Sequence, residues 1–274
     1  MKHPQAHKKA IVIGASADIG IALCEDWISK GWQVAGTYRT STDTVRQLKS
    51  KINCLVHCDL ADTADVEHAC RCLKEEMSGW DVLILGPGLQ DPVGMFPECD
   101  FDEWAESITV NFTNQLRFVH RLLTARNLSG KHPPTVLFFA GGGTNNAPTR
   151  YSAYTASKIA LIKMTEILAA EVVDVNFVIV GPGWVKTKIH NSTLNAHDRA
   201  GSNYERALEK LASNECTPME KVVECCNWLI DGPRDLLAGR NFSVAFDKWG
   251  SPELDRLLAI NPDMYKLRRL GNDF

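Results

Sequence analysis

Ala10-Ile11-Val12-Ile13-Gly14-Ala15-Ser16-Ala17-Asp18-Ile19-Gly20 is the stretch on which the fold turns. A short apolar run reads as a buried strand, a glycine breaks it, and an amphipathic pattern over 19–30 reads as a helix. The alternation continues outward. Apolar runs recur at 33–37, 52–57, 81–85, 135–140, 175–180 and 242–246, and helical patterns fill 42–50, 64–77, 101–126, 154–172 and 218–230. Strands that read as near-continuous Val, Ile and Leu, alternating with helices, predict an α/β fold: a doubly wound parallel sheet of about seven strands with helices on both faces. Thr217-Pro218-Met219-Glu220 predicts a capping box at the start of the last of those helices, and Asp231-Gly232-Pro233 its stop.

The 274 residues carry 30 Lys+Arg against 33 Asp+Glu, a formal charge of −3 with a pI of about 6.2. That balance leaves no basic surplus to neutralise phosphates and argues against a nucleic-acid binder. A hydrophobic content of 45% supports one sizeable core, and no linker or repeat divides the chain, so residues 1–274 are expected to form a single domain. The nine cysteines contain no CxxC, which points to free thiols in a reducing compartment. His57 with Cys54 and Cys58 is a candidate ligand trio, but a strand and polar turn explain it equally, and no metal is expected. Residues 1–9 are basic and polar, and no apolar stretch is long enough for a signal peptide or a membrane span. A cytoplasmic protein without a membrane partner is the expectation. The polar stretch 184–215 is longer than usual for an α/β connection and predicts a substrate lid. Residues 248–274 form a tail that could pack on a neighbouring subunit or close over the substrate.

The turn after the first strand has the chemistry of a phosphate site. Gly14 permits close backbone approach, Gly20 lets the helix pack against the strand, and the helix N-terminus offers N–H groups to a pyrophosphate. Arg39 follows the second strand where an acid would bind a ribose hydroxyl; a guanidinium suits a 2′-phosphate, so NADP(H) is favoured over NAD(H). Asp59, after the third strand, is placed to accept from an adenine amino group or to cap the following turn.

Tyr154-Thr155-Ala156-Ser157-Lys158 opens a helix with a phenol and an ammonium on one face. A nearby cation lowers a phenol's pKa and makes it a usable general acid/base. Taken together, the glycine turn, Asp59-Leu60, Thr109-Val110-Asn111-Phe112, Tyr154-x-x-x-Lys158 and Pro182-Gly183-Trp184-Val185-Lys186-Thr187 occur in the order of the short-chain dehydrogenase/reductase family, and the chain resembles that family over residues 8–247.

The resemblance implies a Rossmann-type fold and specific roles. Tyr154 is the expected proton donor or base, with Lys158 tuning it and holding the nicotinamide ribose. Asn111 is expected to hold a water in the proton relay. Gly14, Ser16, Ile19 and Gly20 would line the pyrophosphate, Asp59 the adenine, Gly86 and Gly88 the adenosine ribose, and Thr187 the nicotinamide carboxamide. The Pro182-Gly183 turn would press Val185 against the ring. A homodimer or homotetramer is implied through the helices at 101–126 and 154–172.

Three departures stand out. Asp18 replaces the middle glycine of the phosphate turn and must point away from the pyrophosphate, plausibly capping the helix. Leu85-Gly86-Pro87-Gly88 stands where the family has Asn-Asn-Ala-Gly, so bracing amides are missing. The family places a catalytic Ser roughly 12–14 residues ahead of the Tyr, to orient the carbonyl and donate to its oxygen. This chain has Ala140-Gly141-Gly142 there, leaving Thr144, a backbone N–H of Gly141 to Gly143, or the substrate to supply the donor.

Trp184, Lys186, Lys188, His190, Asn191 and Asn195, with Arg150, predict a polar, cationic lid and hence a sugar-like or anionic small-molecule substrate. The leading expectation is an NADP(H)-dependent carbonyl/alcohol oxidoreductase. A dinucleotide-binding protein with weak or no catalysis is the rival, motivated by the missing Ser. A sugar-nucleotide epimerase shares Tyr-x-x-x-Lys but usually carries a larger C-terminal domain.

Overall fold

In the first strand, β1 (Lys9–Ile13), Ile11 and Ile13 pack into one apolar cluster while Ala10 and Val12 pack into another, because successive strand side chains point to opposite faces. Both clusters are buried, so both faces of the strand must be covered. The computed structural model describes residues 7–271. Among them β1 is joined by β2 (Gln33–Tyr38), β3 (Cys54–His57), β4 (Val82–Leu85), β5 (Thr135–Phe139), β6 (Asn176–Gly181) and β7 (Asn241–Ser243) in one parallel sheet, ordered β3-β2-β1-β4-β5-β6-β7. Ile11 registers with Ala35 on β2 and Leu83 on β4. The strand order reverses at β1, so the crevice outside the carboxyl ends of β1 and β4 is the switch point where such sheets bind ligands.

The helices are α1 (Asp18–Ser29), α2 (Asp43–Lys49), α3 (Thr63–Glu76), α4 (Phe101–Ile108), α5 (Asn114–Leu122), α6 (Ser152–Glu171), α7 (Asn191–Ala196), α8 (Ser202–Ala212), α9 (Met219–Asp231), α10 (Arg234–Leu237) and α11 (Pro252–Ile260). α3, α5 and α6 cover the Ile11 face with Val66, Leu73, Phe118, Leu122 and Leu161. α1 and α9 cover the Ala10 face with Leu23, Trp27, Val222 and Leu229. Cys24, Cys225 and Cys226 fill gaps in that second layer, and burial pushes the Cys24 and Cys225 thiols up to about 12, which keeps them inert. His57 faces Asp65 at 3.2 Å, and no His/Cys/Asp/Glu group suited to a metal occurs among the described residues.

Several boundaries differ from expectation. The helix foreseen over 101–126 is broken into α4, a π-helical turn (Thr109–Thr113), α5 and a 3-10 turn (Leu123–Ala125). The third strand starts two residues late, at Cys54, and the last ends at Ser243, leaving Phe246 exposed. The capping box does not form. Pro218 is the N-cap of α9 and caps with no side chain, while the Thr217 N–H donates to the Trp184 carbonyl at 2.6 Å. The 184–215 stretch is helical: 3-10 turns (Lys188–His190 and His197–Ala200) flank α7, and α8 follows. The N-terminal stretch 1–9 and the tail 248–274 extend outside the described residues at 1–6 and 272–274. No described helix is long and apolar enough to cross a membrane.

Candidate active site

The carboxyl ends of β1, β4, β5 and β6 open into a cleft of about 1210 Å³. Gly14 adopts φ +78°, a left-handed conformation that favours glycine, and a Cβ there would meet Pro87 at 3.1 Å. Its N–H donates to Thr37 Oγ1 (2.9 Å), and Ala17 N–H donates back to the Gly14 carbonyl (3.0 Å), closing the turn. Ala17, the N-cap of α1, supplies no side-chain acceptor, so the helix N-terminus keeps its donors for the cleft. Gly14, Ser16 and Ile19 line the cleft. Gly20 does not: it lies behind the turn, where a Cβ would sit 2.3 Å from the Gly14 carbonyl oxygen, so its part is packing rather than lining. Asp18 points away from the turn, but to the lid rather than to its own helix. Its Oδ2 accepts from the Lys188 N–H at 2.7 Å, with Lys188 Nζ 3.8 Å from Oδ1.

Arg39 stands exposed at the cleft edge beside Tyr38 and Thr40, with no ion pair or hydrogen bond among the described residues. Asp59 lines the same end. Its Oδ1 accepts from the Ala61 N–H (3.0 Å), capping the turn, while Oδ2 has no partner there. Gly86 and Gly88 run along the floor, where Cβ atoms would meet the Ile13 carbonyl oxygen at 3.0 Å and Ile189 Cδ1 at 3.1 Å.

Asn111, expected to hold a water, has its side chain committed within the protein. It is fully buried in the π-helical turn, accepts from the Leu89 N–H (2.8 Å) and donates to the Leu89 carbonyl (2.7 Å) and Ser107 Oγ (3.2 Å). Both amide donor positions are taken and it does not line the cleft; the side chain clamps the loop after β4. Gln115, which sequence reasoning passed over, donates to the Pro87 carbonyl at 2.9 Å. These two amides supply the bracing that the Gly86-Pro87-Gly88 loop lacks. The available signal was a second amide one helical turn after Asn111.

Tyr154 and Lys158 project from α6 into the cleft. Lys158 is 2% exposed, its Nζ lies 3.5 Å from the Pro87 carbonyl oxygen, and it stands 5.8 Å from the Tyr154 ring centroid. The expected lowering of the phenol by this ammonium is not seen. Burial dominates, pushing Tyr154 up to about 12 and Lys158 down to about 8. Gly141 packs directly on the phenol: a Cβ there would lie 2.7 Å from Tyr154 Cε1 and 2.9 Å from its Oη. Thr144 is exposed at the cleft rim, and its hydroxyl makes no hydrogen bond among the described residues that would orient it toward Tyr154.

Pro182, Gly183, Val185 and Thr187 line the wall beyond β6. Trp184 stacks on His190 with centroids 4.2 Å apart, and His190 Nε2 lies 2.9 Å from the Val185 carbonyl oxygen, which requires the Nε2–H tautomer. The 184–215 segment brings fewer cations to the cleft than expected. Lys186 and Arg150 lie outside its lining, Arg150 donating to the Arg199 carbonyl at 2.7 Å, whereas Lys188 lines the cleft with its Nζ 3.8 Å from Asp18 Oδ1.

A parallel sheet with a glycine turn at its switch point and a Tyr-x-x-x-Lys helix across the cleft defines a class, the Rossmann-type oxidoreductases. The chain belongs to the short chain dehydrogenase family, whose sequence model matches residues 8–198. It is 22% identical over 251 residues to an uncharacterized oxidoreductase of Schizosaccharomyces pombe, covering 90% of this chain and 98% of that protein. A crystal structure of a Saccharomyces cerevisiae short chain dehydrogenase/reductase superposes with a TM-score of 0.76 at 22% identity, over 90% of this chain and 98% of that one. A Burkholderia cenocepacia short chain dehydrogenase in complex with NADP superposes with a TM-score of 0.72 at 20% identity, over 86% and 95%. These two structures share the fold.

Proposed function

We propose that the chain is an NADP(H)-dependent oxidoreductase that interconverts a carbonyl and an alcohol by hydride transfer, with Tyr154 as general acid/base. The observation that carries this reading is the meeting of Tyr154, Lys158, the Gly14 turn and Arg39 in one cleft. The residues fit a dinucleotide. The uncapped α1 N-terminus suits a pyrophosphate, Gly86 leaves a side-chain-free cradle, and the unpaired Arg39 suits a 2′-phosphate, with NAD(H) as the alternative. Gly14, Ser16 and Ile19 would line the pyrophosphate, Asp59 would offer Oδ2 to the adenine, and Gly86 and Gly88 would lie under the adenosine ribose. Lys158 would hold the nicotinamide ribose, Thr187 the carboxamide, and Pro182, Gly183 and Val185 would back the ring.

A dinucleotide held there would supply the hydride. Tyr154, held protonated by burial with its pKa near 12, donates its proton to the carbonyl oxygen. Asn145, Asn146, Asn191 and Asn195 line the cleft with amides that make no hydrogen bond among the described residues, which supports a polar, sugar-like carbonyl; the anionic case loses Lys186 and Arg150 and keeps Lys188. Single-domain architecture, a cytoplasmic location and assembly as a homodimer or homotetramer belong to the same proposal.

The test is fluorescence titration with NADPH and NADH, then turnover of a panel of hydroxylated, anionic and apolar carbonyls. Tyr154→Phe is expected to lower kcat about 10²–10⁴-fold while NADPH still binds. Arg39→Asp is expected to erase the NADPH preference. Binding of neither dinucleotide refutes the proposal. The absence of a hydroxyl side chain at Gly141 favours a second reading, a dinucleotide-binding protein without turnover, and NADPH binding with no turnover of any panel member would establish it.

A further inference from the structure

We infer that the backbone of residues 141–143, and not a side-chain hydroxyl, supplies the hydrogen-bond donor to the substrate's carbonyl oxygen; this rests on the reductase reading above. The family's serine position is not merely empty. A Cβ on Gly141 would lie 2.7 Å from Tyr154 Cε1, 2.9 Å from Tyr154 Oη and 3.0 Å from Lys158 Cγ. Any side chain there must displace the phenol whose proton the reaction uses. Gly143 is committed in the same way. Its φ of +107° favours glycine, and a Cβ would meet Thr155 Cγ2 at 2.5 Å. The loop is therefore shaped around bare backbone on both sides of Gly142, where a Cβ would meet nothing within 4 Å.

Its donors are available. Ala140 N–H still belongs to the sheet, donating to the Val180 carbonyl at 2.9 Å, whereas the N–H groups of Gly141, Gly142 and Gly143 find no acceptor among the described residues. All three residues line the cleft at the carboxyl end of β5, beside Tyr154. Backbone N–H groups without an internal acceptor are suited to hydrogen-bond a developing oxyanion, and they require no rotamer to be held. With hydride supplied to the carbonyl carbon by NADPH, oxidised to NADP⁺, the C=O π pair would withdraw to the oxygen, which would take the Tyr154 proton and leave the phenolate. The loop N–H keeps its own proton and shields the developing negative charge throughout.

The experiment restores the family residue. Gly141→Ser and Gly141→Ala are assayed with whichever panel carbonyl the wild type reduces, alongside NADPH affinity by fluorescence and tyrosinate titration by ultraviolet difference absorbance. Both variants are expected to lose about 10²-fold in kcat while retaining NADPH affinity within a few fold. The tyrosinate titration should move below the wild-type value of about 12 as the ring leaves its buried seat. A Gly141→Ser enzyme as fast as the wild type, or faster, overturns the inference. So does a loss of about 10²–10³ in kcat for Thr144→Val, the signature of a hydroxyl donor, and that arm stands even if Gly141→Ser fails to fold. Failure of the wild type to bind NADPH overturns the reductase reading itself and takes this inference with it.

Discussion

Lys158 shows how one residue trades stability for chemistry. Its ammonium is buried against a single carbonyl, Pro87 O at 3.5 Å, and its pKa falls from 10.5 to about 8. Below pH 8 the lysine is charged in folded and unfolded chains alike, and the folded state bears the full desolvation cost. Between pH 8 and 10.5 the unfolded chain binds more protons, so stability rises with pH. The shift corresponds to about 3 kcal/mol. Lys158→Met is therefore expected to raise stability at pH 7 by about 2 kcal/mol, after loss of the weak hydrogen bond. The gain should shrink as pH climbs toward 10.5. Urea unfolding at pH 7 and pH 10 measures it, and a variant no more stable than the wild type at pH 7 contradicts the argument. The four-residue spacing of Tyr154 and Lys158 was legible in the sequence. That burial would outweigh their mutual attraction was not, because desolvation depends on what covers the pair.

Among the elements, α1 and the lid are joined by Asp18. Sequence reasoning required its carboxylate to turn from the phosphate turn, but the acceptor role toward the Lys188 N–H depends on a segment 170 residues away. Asp18→Ala removes the acceptor and is expected to speed amide exchange over 187–196 by about tenfold, the worth of one charge-assisted hydrogen bond. Unchanged exchange there would show that the Trp184–His190 stack and the Ser192–Asp91 and Thr193–Tyr151 hydrogen bonds hold the segment without it. The missing capping box at α9 has a related cause. Thr217 had the right residue type and spacing, yet the Trp184 carbonyl takes its N–H. The π-helical turn was equally unannounced, since the packing of Asn111 on Leu89 and Gln115 on Pro87 depends on the loop after β4.

At the scale of the molecule, Arg240 ties the tail to the edge of the sheet. It is 3% exposed and donates to the carbonyls of Leu258 (2.9 Å), Asn261 (3.1 Å) and Met264 (2.7 Å). Asn241 N–H then bonds the Tyr265 carbonyl at 2.8 Å, and Tyr265, Lys266 and Leu267 come to line the cleft. The tail thus closes on its own chain's cleft. Arg240→Met leaves three carbonyls without their donor and is expected to lower stability by about 2–4 kcal/mol and to open residues 261–271 to protease. A tail that stays protected would place its anchor elsewhere, with the Arg268–Glu166 pair at 2.6 Å the next candidate.

Apolar runs, glycine at the first turn and the Tyr-x-x-x-Lys spacing were enough by themselves to determine a two-sided parallel sheet with a tight turn after its first strand and a helix carrying Tyr154 and Lys158, because strand and helix periodicities are local and each helix start or tight turn is encoded within a few residues. Tertiary structure alone decided that Gly141 abuts the phenol, that Asn111 grips the loop after β4, that Lys186 and Arg150 stay outside the cleft and that Arg240 draws the tail over it. Each of these contacts joins residues far apart in the chain, and burial, not residue type, sets the proton affinity of what they enclose.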